Sequence, residues 1–241
     1  MRRITKIVSD IRIAEIANLG DNLLKELAEL TPEDAHLKAI QTEVEQNNSR
    51  LVIAINRDMA ESELEELDAR RDSTYRSLAY LNKGYLHHPD APVSEAAAQV
   101  ERILEKYGFD MINANYGAES AYLESLFNDM GSIEIAPALE LLPGEIALLT
   151  RLKDEQSRFK VAEQRFYNAQ SQDKQADSAT QVKRELLKLI NNKLVVYLRA
   201  MMQVNPQPYD DLCAKVALLI DKANSLVKRR RSTEELQTKS N

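Results

Sequence analysis

A chain of 241 residues, 44% apolar and 29% charged, can bury a sizeable core as one large or two small domains. It carries 6 glycines, where average usage would supply roughly 17, and that scarcity disfavours hairpin-rich sheets and phosphate-cradling loops, both of which need positive φ. A net charge of −6 opposes a polyanionic partner, the lone Cys213 excludes an intramolecular disulfide, and nowhere is there a run of about 18 apolar residues able to span a membrane.

The start, Met1-Arg2-Arg3-Ile4-Thr5-Lys6, resembles a charged leader, but Asp10, Arg12 and Glu15 follow where an apolar stretch would be needed. The expected compartment is therefore the cytoplasm. A first helix is predicted from Arg12 to Leu30, with Ile16, Leu19, Leu23 and Leu27 on one stripe. Gly20 interrupts it at a cost of about 1 kcal/mol relative to alanine. Thr31-Pro32-Glu33-Asp34 reads as a restart, and a second helix runs to about Asp58 with Asn47 and Asn48 where the apolar seam should continue. Such residues fix register at some cost in stability; a ligand site is the sharper reading.

Ser62-Glu63-Leu64-Glu65 has the pattern of a capping box and opens a third predicted helix. Its seam is Leu64, Leu67, Arg71, Thr74, Leu78, Leu81 and Tyr85, and His87-His88-Pro89 ends it. A fourth helix spans about Val93 to Tyr107, with Gly108 as the stop. Helix is predicted again over 118–130, in a short piece over 136–142, and over 143–170, 176–205 and 209–231. Residues 232–241 have little to bury and read as a disordered tail.

An internal repeat is visible. Val100 to Lys106 aligns with Val216 to Lys222, Pro89 and Pro92 answer Pro206 and Pro208, and Tyr80-Leu81 answers Tyr197-Leu198. Ser49-Arg50-Leu51 answers Ser157-Arg158-Phe159, and Cys213 pairs with Ala97. The expected fold is all-α, a duplicated antiparallel helical bundle of two related three- to four-helix units, at 1–112 and 113–231.

The stretch Leu67-Asp68-Ala69-Arg70-Arg71-Asp72-Ser73-Thr74-Tyr75-Arg76, with the amphipathic Tyr209 to Lys228 and its basic ending, resembles an uncharacterised family of bacterial all-helical proteins of about this length. The likeness runs over most of the chain and departs from the family at Pro137 and Pro143. It implies a helical fold, and no activity or site residue comes with it.

Other constellations are weak. Glu33-x-x-His36 has the spacing of a di-iron half-site but no second copy, and a single exposed histidine is the plainer reading. His87, His88 and Asp90 suit a polar helix end better than a metal site. Cys213 lies on an amphipathic helix and reads as a small core residue. Lys228-Arg229-Arg230-Arg231 complements a helix C-terminus, and without interleaved aromatics it gives nucleic acid little support. Tyr75, Tyr80, Tyr85 and Tyr197 suit core or interface alike. No catalytic, cofactor-binding or metal residue is assigned. The function expected is that of a non-enzymatic interaction or scaffold protein, binding a partner protein, or a second copy, through a helix face or the groove between units. The alternative is a metal- or small-ligand-binding helical bundle with an enzymatic role, distinguished by whether His36 points inward toward carboxylates. No membrane partner is expected.

Overall fold

The computed structural model describes residues 3–30, 33–173 and 177–239, with backbone alone at 30 and 235–239. Among them there is no strand. The helices are α1 (Ile13–Leu30), α2 (Ala35–Tyr85), α3 (Ala91–Tyr107), α4 (Tyr116–Met130), α5 (Ala136–Glu140), α6 (Glu145–Gln172), α7 (Ala179–Leu189), α8 (Val195–Val204) and α9 (Asp210–Lys239). A 3₁₀ turn, Phe109–Asn113, follows α3, and one π-helical turn, Ile190–Leu194, joins α7 to α8. No helix among the described residues is long and apolar enough to cross a membrane.

The capping pattern at Ser62 starts no helix, because α2 is continuous over 51 residues. No glycine or proline lies between Ala35 and Asn82 to break it, and Ser62 simply faces solvent within the helix. The Thr31-Pro32 restart lies outside the described residues, while Asp34 just after it accepts from the N–H groups of His36 (2.9 Å) and Leu37 (3.0 Å). At the other end, α9 continues to Lys239, well beyond Arg231. Near this end Arg230 pairs with Glu15 (2.5 Å), and Ser232 bonds back to the Lys228 carbonyl of its own helix (3.1 Å).

The chain forms two compact units, Met1–Met59 with Ala169–Asn241, and Ala60–Asn168. These differ from serial halves at 1–112 and 113–231, and α2 contributes residues 35–59 to the first unit and 60–85 to the second. In the first unit α1 packs on α7 and α9, and α8 on α9. Leu23, Leu27, Leu37, Val44, Leu51, Leu186, Leu194, Leu198, Val216 and Ile220 are fully buried there. Each such leucine, isoleucine or valine contributes about 1.5–3 kcal/mol by leaving water.

The charged start is part of this core. Ile4, Ile7 and Ile11 are buried, and side-chain amides pair the extended backbone between them. Asn191, in the π turn, accepts from the Ile7 N–H (2.8 Å) and donates to its carbonyl (2.9 Å). Asn224 accepts from the Val8 N–H (3.0 Å) and donates to the Lys6 carbonyl (2.9 Å). These amides pair backbone groups of a segment that belongs to no helix, so its buried N–H and carbonyl groups are satisfied.

Gly20 and Asn48 explain each other. Asn48 is buried on α2 and donates to Asp21 on α1 at 2.7 Å. A Cβ at Gly20 would stand 2.3 Å from Asn48 Oδ1. The helix-breaking residue thus lets α1 and α2 approach closely at a polar register point. Gly20→Ala is expected to destabilise the protein by about 1–3 kcal/mol through overpacking, although alanine is the better helix former. In urea titrations the double variant Gly20→Ala/Asn48→Ala should lose less stability than the sum of the single variants.

Candidate functional site

Part of the first stretch that carries the family resemblance, Leu67 to Arg76, enters a buried polar cluster in the second unit, while Tyr209 to Lys228 lie in the first unit. The spacing on α2 sets Asp68, Arg71, Asp72 and Tyr75 on the face that meets α3, α4 and α6. Arg71 has no exposed surface. Its Nη1 donates to Gln156 Oε1 on α6 (2.7 Å) and to Ser120 Oγ on α4 (3.1 Å). Its Nη2 pairs with Glu119 Oε2 (2.6 Å) and Asp68 Oδ1 (2.8 Å). The guanidinium lies 3.8 Å from the ring centroid of Phe159, against which Tyr116 packs edge-on. Tyr75, buried one turn on, donates to the Gly108 carbonyl (2.9 Å), where φ of +61° turns the chain out of α3.

The cluster sets three acids around one guanidinium whose Nε is itself buried without a partner. Burial, against the opposing pull of Arg71, pushes Glu119 up to about 7, with Asp68 and Asp72 adding repulsion. Burial and then Asp68 also raise Asp72, which Arg76 meets from the solvent side at 3.3 Å. Glu119 Oε1 and Asp72 Oδ1 are buried out of reach of any N–H or hydroxyl donor, and the two carboxyls hydrogen-bond each other, which lowers Asp72 against its burial. One oxygen of each of Asp68, Asp72 and Glu119 lies within 4.8 Å of the others, so these three could hold a metal. A second acid, Glu145 at the start of α6, is fully buried with both oxygens unpartnered. Burial, and then the charge of Glu101, push it to about 7 as well.

The sites weighed from sequence lie elsewhere. His36 is exposed, and its ring lies 4.9 Å from that of Tyr197, tilted by 42°. The acid that matters there is Asp34, which takes hydroxyl hydrogen bonds from Tyr197 (2.5 Å) and Tyr209 (2.6 Å) besides capping α2. His88 Nδ1 accepts from the Asp90 N–H (3.2 Å), a turn contact rather than a ligand arrangement. Cys213 is buried, donates to the Leu198 carbonyl (3.8 Å), and burial and then Asp210 push its thiol up to about 11. In the basic cluster Arg230 and Arg231 are engaged with Glu15 and Asp10. Tyr80 is 63% exposed, Tyr75 is buried, and Tyr85 and Tyr197 are half-buried. Sequence reading took Arg71 for a polar interruption in a heptad seam. A usable signal lay in the run of Asp68, Arg71 and Asp72 on one helical face, yet Glu119 and Gln156 have no local pattern to announce them.

Two pH dependences of opposite sign follow. Burial alone would raise Asp34, but bonds from Tyr197, Tyr209 and the Leu37 and His36 N–H groups hold it at about 2. Its contribution is complete above the ordinary value of 3.8 and is lost as pH falls toward 2. Asp34→Ala should cost about 0.5–2 kcal/mol for the cap alone, and more with both tyrosine hydroxyls released. Glu119 and Glu145 act the other way. Ionising them is harder in the folded chain, so stability falls as pH rises from 4.5 toward 7. Denaturant titrations at stepped pH should show that slope in metal-free protein, and Glu119→Gln and Glu145→Gln should each remove part of it.

No curated protein and no solved structure matches the chain. The model of a family of unknown function, DUF6261, matches residues 61–217, a span that includes Arg71, its partners and the whole Leu67 to Arg76 stretch. The protein belongs to this family of unknown function.

Proposed function

We propose that the protein is a non-enzymatic helical interaction protein that binds a partner protein along the α2–α6 face of its second unit. The observation that carries this reading is an open groove of about 510 Å³ lined by Glu63, Glu66, Leu67, Arg70, Arg158, Val161 and Arg165. Leu67 and Val161 are its apolar residues, and Val161 is 53% exposed. The flanking charges are of both signs and already paired, Arg165 with Glu63 (3.2 Å) and Arg158 with Asp154 (2.9 Å). An amphipathic helix with a short apolar seam and mixed flanking charges is the occupant that such a surface fits, from another protein or from a second copy. The exposed position of His36 weighs against the di-iron alternative at Glu33 and His36, and the buried thiol of Cys213 suits a reducing, cytoplasmic setting.

The same reading includes a duplication. At one offset Ala97, Val100 and Leu104 answer Cys213, Val216 and Ile220, and all six are buried. Leu51 and Phe159, matched further back, are both fully buried. Tyr80 and Tyr197 fall one residue out of that register. Each compact unit would then combine the beginning of one antiparallel copy with the end of the other, which reconciles sequence copies at 1–112 and 113–231 with units that divide the chain elsewhere.

A photo-crosslinking side chain at Val161, activated in intact cells, tests the docking face. A discrete protein adduct is expected, weakened by Leu67→Glu and absent when the probe stands at the exposed Glu95 on α3. No adduct at Val161, or equal adducts at both positions, would overturn the proposal.

A further inference from the structure

We propose that the α2–α6 groove is a two-fold interface and that its occupant is a second copy of this chain. The inference rests on the docking reading of that groove and names its partner. The two walls run antiparallel, since Arg165 on α6 pairs with Glu63 on α2, while further along α2 Arg71 meets Gln156, which lies earlier on α6. Charge is divided between the walls. Residues 61–66 of α2 carry the exposed Glu61, Glu63, Glu65 and Glu66 and no base. Over 158–165, α6 exposes Arg158, Lys160 and Arg165 against the half-buried Glu163.

That division selects the arrangement of the copies. A two-fold axis along the groove exchanges its walls, so α2 of one protomer lies over α6 of its partner and acid faces base. An axis across the groove would set α2 over α2 and glutamate over glutamate, which is repulsive. With the axis along the groove, each Glu63–Arg165 pair (3.2 Å) meets its own image with the signs exchanged, and four charges alternate. The apolar residues obey the same operator. Leu67 lies one turn after Glu63 and Val161 one turn before Arg165, so Leu67 of one protomer faces Val161 of its partner. Arg70 and Arg158, which meet at the far end, are each held by an acid one turn back on their own helix, Glu66 and Asp154. The Glu63 and Arg165 side chains are 48% and 63% exposed, which leaves both able to reach across.

Sedimentation equilibrium of the full-length protein, from nanomolar to high micromolar concentration, tests this. A reversible rise from the 27.4 kDa chain mass to twice that value is expected. Glu63→Arg and Arg165→Glu should each weaken self-association about tenfold or more, by setting like charges face to face. Mixed in equal amounts, the two variants should dimerise again, because each contact between the unlike chains then joins opposite charges. Such recovery cannot come from misfolded chains, so it separates lost complementarity from lost structure. A wild-type chain that stays monomeric throughout, a dimer indifferent to both variants, or a mixture that stays monomeric would overturn the proposal. In the cellular crosslinking at Val161, an adduct of twice the chain mass supports it. An adduct with a different protein alone overturns it and leaves the docking face standing, whereas no adduct removes both.

Discussion

The second unit is organised around a guanidinium taken wholly out of water. Arg71 reaches Glu119 and Ser120 on α4 and Gln156 and Phe159 on α6, so one side chain of α2 sets the register of two other helices. A planar fork with five donors can do this where an ammonium could not, because each hydrogen has a direction and each partner must lie along it. The desolvation penalty of the charge is severe, and it is offset only while every partner stays in place. Apolar packing around Leu78, Val100, Leu123 and Leu152 supplies the bulk of the stabilisation in that unit, while the polar cluster restricts how those helices can slide.

The first unit uses polar groups differently, as caps on its edges. Asp34 gathers two tyrosine hydroxyls, one from α8 and one from the turn just before α9, onto the start of α2, and Asn191 and Asn224 hold the backbone around Ile7. In each case a side chain supplies what regular structure lacks at a helix start or in an isolated extended segment. The π turn at Ile190–Leu194 belongs to the same device, since it carries the Asn191 that grips the Ile7 backbone. A buried Asn48 against Gly20 adds one more register point within the core.

Much of this was legible in local pattern. Gly108 ended α3 as expected, the stripe from Ile16 to Leu27 became a buried face, and Asn48 is buried and bonds across to Asp21 on α1. Ser62-Glu63-Leu64-Glu65 has capping chemistry, but a cap forms only where the chain leaves the helix, and nothing there forces it out. Apolar residues thin out near Arg231, where the sequence predicts the end of the last helix, yet α9 continues to Lys239. Helix propensity in Glu-Glu-Leu-Gln and ion pairs back to Glu15 and Asp10 carry it further.

The sequence by itself determined that the chain is helical and where most turns fall, because those properties depend on periodicity and on a few residues with restricted backbones. It also marked Asp68, Arg71 and Asp72 as polar residues on a helical face. Only the tertiary structure decided that Arg71 is fully buried, that Glu119 and Gln156 meet it from residues far along the chain, and that the compact units divide the chain at 59 and 168. Burial and charge pairing between distant segments depend on which faces the packed helices bring together, and no local spacing encodes that choice.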